Sequence, residues 1–206
     1  HTLSKMGESV VGRTDAGGYS PLHLSAQNGH TAATALLLKA GRSEVNSNAC
    51  GATPLHRASF SGAVTTMKLL LDAGAELLAH DTSFGDRMTP LHKAAAGGRY
   101  LAVKLLIHAL SSAEILQDGL SATDSRGKTP IDVAREMQQN KEDEHQSVKR
   151  WDVVAGGPPG WNQCVLLLDK AAQSTSAAGA SLTRMTPLPS HPSSSTRDEC
   201  CESDGR

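Results

Sequence analysis

Three histidines occupy the same place in a recurring four-residue motif, and histidine is a common metal ligand and proton carrier at neutral pH. The motif reads Ser/Thr-Pro-Leu-His and ends at His23, His56 and His92. Zinc needs its ligands within about 2.1 Å of one ion, whereas packed helices lie roughly 8–10 Å apart. Because the histidines are a whole repeat apart, we expect no shared metal site. Each imidazole is expected to hydrogen-bond backbone within its own turn.

Other residues that could carry chemistry lack the partners that the chemistry needs. Gly127-Lys128-Thr129 resembles the end of a phosphate-binding loop, but Ala122 stands where that loop needs a glycine. Cys50 lies in a predicted hairpin with no implied base. The motifs H-E-x-x-H and G-x-S-x-G are both absent from the sequence. The sequence therefore predicts no catalytic residue, no cofactor and no enzyme activity.

Composition narrows the functional class further. The chain has 206 residues and a formal charge of −1, which gives no electrostatic footprint for nucleic acid. No apolar stretch approaches the roughly 20 residues that a membrane-spanning helix needs. Its four cysteines form neither a C-x-x-C pair nor a disulfide framework, which favours a reducing compartment. We predict a monomer in the cytoplasm, the nucleus or both.

The recurring motif also marks where helices begin. Its copies start at Ser20, Thr53 and Thr89, and a degenerate copy, Thr129-Pro130-Ile131-Asp132, follows. Proline is tolerated in the first helical turn, and the preceding hydroxyl can cap it. A glycine nine residues after each full copy's start and then a run of leucines complete the unit. Each unit therefore predicts a hairpin-like loop, a short helix, a tight turn and a longer helix.

The motif and its first interval of 33 residues resemble the ankyrin repeat family. The resemblance implies an all-α solenoid of helix-turn-helix units joined by β-hairpin-like loops. We place repeats at 15–47, 48–80 and 81–116, with a degenerate C-terminal repeat at 117–172. Residues 1–14 are interpreted as the tail of an upstream repeat, with a disordered leader as the alternative. The Ser-, Thr- and Pro-rich segment 173–206 is predicted to be disordered.

Later repeats depart from the first interval. Three extra residues enter near 81–88 and seven near 111–120, and such insertions usually map to loops. In the last repeat the first helix is expected to continue to about Gln139. Its second helix is either 161–172, after about 21 inserted residues, or 147–155 with 161–172 as a terminal cap.

Partners of ankyrin repeats commonly dock on the concave surface of hairpin tips and first helices, and the resemblance places that surface in this chain. The predicted partner-binding residues are Tyr19, Gln27, Asn28, Phe60, Ser61, Phe84, Arg87, Met88, Arg126 and Lys128. Aromatic and arginine side chains dominate interface energetics. We therefore expect the centre of the surface at Tyr19, Phe60, Phe84, Arg87 and Met88, with local packing of the three rings as the alternative.

The resemblance carries two further implications. Leu38 followed by Glu44-Val45-Asn46 is similar to the acceptor pattern for asparaginyl hydroxylation, with turn hydrogen bonds of Asn46 as the alternative.

The function expected from the resemblance is that of a non-enzymatic protein–protein interaction module or adaptor. The alternative is a regulatory or substrate-recruiting region of a larger enzyme, such as a kinase or ubiquitin ligase.

Overall fold

Each copy of the motif begins a helix at its proline, and a second helix follows after a short turn. The computed structural model describes residues 13–40, 42–48, 50–83, 85–143 and 160–182. These residues form the following helices: α1 (Pro21–Gln27), α2 (Thr31–Ala40), α3 (Pro54–Ser61), α4 (Val64–Asp72), α5 (Pro90–Ala96), α6 (Tyr100–Ser112), α7 (Leu116–Ser121), α8 (Pro130–Asp143) and α9 (Trp161–Leu182). A 3₁₀ turn, Arg42–Asn46, follows α2.

The helices stack in two layers. The first helices α1, α3, α5 and α8 pack in series, and the second helices α2, α4, α6 and α9 pack in series beside them. The motif leucines Leu22, Leu55 and Leu91 are buried between the layers, with small residues such as Ala58 and Ala94 allowing close approach. The described residues form no β-strand, apart from an isolated antiparallel bridge between Asp81 and Met88. The observed fold is the predicted all-α solenoid.

The C-terminal half departs from the predicted details. The extra residues near 111–120 form no simple loop: α6 runs to Ser112, and α7 follows at Leu116 and packs against α6, α8 and α9. Helix α8 continues past Gln139 to Asp143. Helix α9 packs on α6 and α8 in the second-helix position and runs to Leu182, so it extends into the segment predicted to be disordered from residue 173. The expectations for 1–12, 147–155 and 183–206 concern residues outside the described part of the chain.

The hairpin-like loops stack as well, through backbone hydrogen bonds. The Thr82 N–H donates to the Gly51 carbonyl at 2.7 Å, which joins the second and third loops. The Ser125 N–H donates to the Asp86 carbonyl at 2.8 Å, which joins the third and fourth. A Cβ at Gly51 would clash with the Ser83 backbone nitrogen, so a larger residue there would push these loops apart.

The motif histidines link neighbouring repeats, which the sequence analysis did not anticipate. His23, His56 and His92 each place Nδ1 3.1–3.2 Å from the N–H of the motif's own Ser or Thr, as expected. Each Nε2 reaches instead a carbonyl just before the next motif: Ala52 at 2.8 Å, Met88 at 3.0 Å and Lys128 at 3.0 Å. The expectation of bonds confined to the histidine's own turn is therefore corrected. Each ring therefore binds the helix cap of its own repeat through Nδ1 and the loop of the next repeat through Nε2.

These contacts fix the tautomer of each ring. A carbonyl only accepts, so Nε2 carries the proton, and Nδ1 is then the acceptor for the backbone N–H. Burial lowers the pKa of His23 and His92 and lowers that of His56 to about 4. The rings are therefore neutral at pH 7, and a second proton on Nδ1 would face an N–H donor.

Candidate protein-binding surface

The loops before each motif and the first helices α1, α3, α5 and α8 form one continuous surface, here named the hairpin face. Tyr19 directly follows the turn of the first loop, which Asp15 closes by accepting the Gly17 and Tyr19 N–H groups at 2.9 Å. Arg57 of α3 donates from Nη2 to the Tyr19 hydroxyl at 2.7 Å, with its Cζ 4.7 Å from the ring centroid. Tyr19 and Arg57 thus form a pair that spans two repeats.

Arg57 is a candidate site residue that the sequence-based prediction did not include. It lies on α3 four residues after the cap Thr53, where the neighbouring repeats have Leu24 and Lys93. Sequence position alone could have flagged it, because this row follows the motif histidine on the same helices. The pairing with Tyr19 could not be read from sequence, since it depends on how two repeats stack.

The predicted residues at the ends of α1 and α3 have different environments. Gln27 and Asn28 are exposed, and the Asn28 side chain donates to the Leu24 carbonyl at 2.9 Å. Phe60 is half-buried, and its carbonyl accepts from Arg99 Nε at 3.2 Å. Ser61 is buried, with its hydroxyl donating to the Ala58 carbonyl at 3.1 Å. Its side chain therefore lies inside the helix layer and is unavailable to a partner.

The enlarged third loop is held from within by charge. Lys93 of α5 places Nζ 2.8 Å from Asp81 Oδ2 and 3.9 Å from Asp86 Oδ2. Burial alone would raise the pKa of Asp81, but hydrogen bonds from Lys93 and Ser83 outweigh burial and lower it. Asp81 is thus a buried carboxylate that stays charged because it is paired.

Three predicted residues belong to this loop, and they differ in accessibility. Arg87 is exposed and adopts a φ of 53°, with its carbonyl 2.9 Å from His80 Nδ1. Met88 is only 7% exposed, and its carbonyl accepts from His56 and from the Asp81 N–H. The Met88 side chain is therefore part of the interior and is unavailable to a partner. Phe84 lies outside the described residues.

At the C-terminal end of the hairpin face, Arg126 and Lys128 surround Glu136 of α8. Lys128 Nζ lies 2.7 Å from Glu136 Oε1, and Arg126 Nη1 lies 3.7 Å from Oε2. Arg126 also contacts Asp124 at 3.3 Å. Burial would raise the pKa of Asp124, but hydrogen bonds from the Lys128 and Arg126 backbone N–H groups outweigh it and lower the pKa. Both predicted cations are present on this face, and both are already paired.

Asn46 lies away from the hairpin face, at the end of the 3₁₀ turn. Its side chain donates to the Gly74 carbonyl at 3.1 Å and accepts from the Glu76 N–H at 2.9 Å. These bonds tie the first repeat to the turn that ends α4. They reach the next repeat and not the backbone of the asparagine's own turn, and hydroxylation of Asn46 stays a prediction.

The rest of the described surface offers little for chemistry. Within it, no group of three or more His, Cys, Asp or Glu residues is placed to hold a metal ion. No helix in the same residues is long and apolar enough to span a bilayer. Burial raises the pKa of the Cys164 thiol to about 12, so this thiol is not a nucleophile at neutral pH.

Comparison with protein families agrees with this geometry. A model of ankyrin repeats in three copies matches residues 3–81, and a single ankyrin repeat model matches residues 86–118. The chain belongs to the ankyrin repeat family. A search of curated proteins found no match. Ankyrin repeats are in general a non-catalytic fold for protein–protein interaction, so the first three motif copies are the framework of such a module.

Proposed function

We propose that this protein is a non-enzymatic binding module whose protein partner docks on the hairpin face, centred on Tyr19, Arg57 and Phe60. The observation that carries the proposal is the Tyr19–Arg57 pair, with half-buried Phe60 three residues after Arg57 on the same helix. It brings aromatic and arginine side chains together across two repeats, and these residue types contribute most to interface free energy. Extended faces of this kind are what solenoids use for binding.

The proposed surface is a narrower version of the predicted one. It omits Ser61 and Met88 because their side chains are buried. It adds Arg57. Residues at least partly exposed around the centre are expected to form its periphery, where contacts contribute less: Gln27, Asn28, Arg87, Arg126 and Lys128. Location in the cytoplasm or nucleus and a monomeric state remain predictions.

Affinity purification with the full chain, followed by calorimetry on the partner recovered, tests this function. Phe60→Ala is expected to weaken binding by about 2 kcal/mol, since truncating an interface anchor has that cost. The matched control is Leu101→Ala, which removes an exposed apolar side chain from α6 in the other layer. If wild type and Phe60→Ala bound the partner with equal affinity and unfolded at the same temperature, the partner would not dock on the hairpin face.

A further inference from the structure

Most charges on the hairpin face are balanced by a neighbour. Lys93 is paired with Asp81 and Asp86, and Lys128 and Arg126 share Glu136. Arg126 has Asp124 as well. These pairs hold loops to helices, so a partner would have to compete with the neighbouring carboxylates for these cations.

Arg57 is the exception near the centre of this face. Within the described residues no carboxylate lies within salt-bridge distance of its guanidinium. Its described contact is the neutral Tyr19 hydroxyl, and its Nε–H is covered by protein without an acceptor in the described part of the chain. A guanidinium has five N–H donors, and a half-buried one is poorly solvated when they are unmet. The equivalent cation one repeat on, Lys93, has two carboxylates.

We infer that the hairpin face recognises an acidic segment of its protein partner, with an Asp or Glu carboxylate of that segment pairing with Arg57. This inference rests on the proposed function. The Tyr19 ring holds the guanidinium in place, so less side-chain entropy is lost when a carboxylate binds. A planar guanidinium matches a carboxylate in shape as well as charge.

The remaining cations argue for a carboxylate rather than a nucleic-acid phosphate. Phosphate backbones are bound by stripes of unpaired Lys and Arg. On this face Lys93, Arg126 and Lys128 are paired with carboxylates, whereas Arg57 and Arg87, on separate repeats, have none among the described residues. Two separated arginines make no stripe, and the whole chain carries a formal charge of −1. One locally unmatched arginine beside a tyrosine fits a single acidic side chain.

A charge-reversal selection tests the inference. The wild-type chain, Arg57→Glu and the control Lys104→Glu are each used to select peptides from a random phage-displayed library. Lys104 is exposed on α6, in the second-helix layer, so its variant changes net charge equally. Wild type and the control are expected to select peptides enriched in Asp and Glu. Arg57→Glu is expected to select peptides enriched in Lys and Arg.

A second variant keeps the test decisive if Arg57→Glu fails to fold. Arg57→Gln keeps a polar side chain without the charge, and its affinity for the best acidic peptide from wild type is measured by fluorescence anisotropy. A loss of about 10-fold or more is expected, because a charge pair would be replaced by a neutral contact. Circular dichroism and thermal unfolding check the fold of each variant.

The outcomes separate the two proposals. Selected peptides without acidic enrichment, or an unchanged preference in Arg57→Glu and unchanged affinity in Arg57→Gln, would overturn the acidic partner and leave the binding face intact. Acidic peptides that bind Phe60→Ala and Arg57→Gln as tightly as wild type would place the site elsewhere and overturn both proposals. No capture above background by folded wild type would also overturn both.

Discussion

At the scale of single residues, the motif histidine adds a side-chain link from one repeat to the next. Its Nδ1 accepts from its own cap, and its Nε2 donates to the following loop. In the fourth copy Asp132 takes its place, and its Oδ2 accepts from the Thr129 N–H at 3.1 Å and hydroxyl at 2.6 Å. A carboxylate keeps the cap but cannot donate to a carbonyl. Asp132 therefore caps its own helix but cannot donate the hydrogen bond by which a motif histidine reaches the next repeat.

His56→Ala is expected to lower the free energy of unfolding by about 2–4 kcal/mol. The substitution leaves the Thr53 N–H and the Met88 carbonyl without their ring partner and opens a void in a fully buried position. Urea unfolding measures the change. The control His108→Ala, at an exposed position of α6, is expected to change it by less than about 0.5 kcal/mol. A similar small change for His56→Ala would mean that the cross-repeat bond contributes little.

At the scale of helices, sequence determined where the first helices begin, because Pro21, Pro54, Pro90 and Pro130 each open one. It did not predict α7, because extra residues in a repeat interval can lengthen a helix, add one or form a loop. Two of the three residues of the proposed binding centre were predicted from the sequence. Tyr19 and Phe60 followed from the family pattern, whereas Arg57 needed the contact between two repeats, which spacing does not reveal.

Close approach of α3 and α5 gives a prediction at the same scale. A Cβ at Gly97 would lie 2.6 Å from the Phe60 carbonyl oxygen, although the φ of −74° at Gly97 suits alanine. Gly97→Ala is therefore expected to destabilise by about 2 kcal/mol or more, through a clash between repeats.

Gly74→Ala is the matched control. Gly74 has a φ of 92° and no atom within 4 Å of a new Cβ, so its cost is backbone strain alone. That strain is about 1–2 kcal/mol. Thermal unfolding of both variants decides whether helix contact or backbone conformation dominates. If Gly97→Ala proved neutral, the two helices would not be in rigid contact there.

At the scale of the whole molecule, three neutral histidines act along one array, so its stability should depend on pH. The pKa of His23, His56 and His92 is lowered in the fold, chiefly by burial. Below about pH 6.5 the unfolded chain therefore binds protons that the folded chain does not. The stability that depends on the neutral histidines is complete above that pH. It is lost as the pH falls from about 6.5 to the pKa values in the fold, which reach about 4 for His56.

The paired aspartates make stability depend on pH over a lower pH range than the histidines do. The Thr129 hydroxyl holds the pKa of Asp132 below its usual 3.8, and hydrogen bonds outweigh burial at Asp81 and Asp124 to lower theirs too. These groups stabilise the fold above about pH 3.8, and their contribution is lost as pH falls below that value. Between about pH 6.5 and pH 4 the histidines therefore determine how steeply the free energy of unfolding changes with pH.

The expected result is a urea midpoint that falls steadily from about pH 7 to about pH 4.5, with His56 alone contributing up to about 3 kcal/mol. His56→Gln cannot titrate, so its midpoint is expected to fall less steeply, although it begins lower at pH 7. His108→Ala should keep the wild-type slope, because that histidine is exposed. A wild-type midpoint that is flat above pH 4.5 would show that the motif imidazoles accept a second proton without leaving their neighbours. In that case the cross-repeat bonds would not depend on the neutral ring.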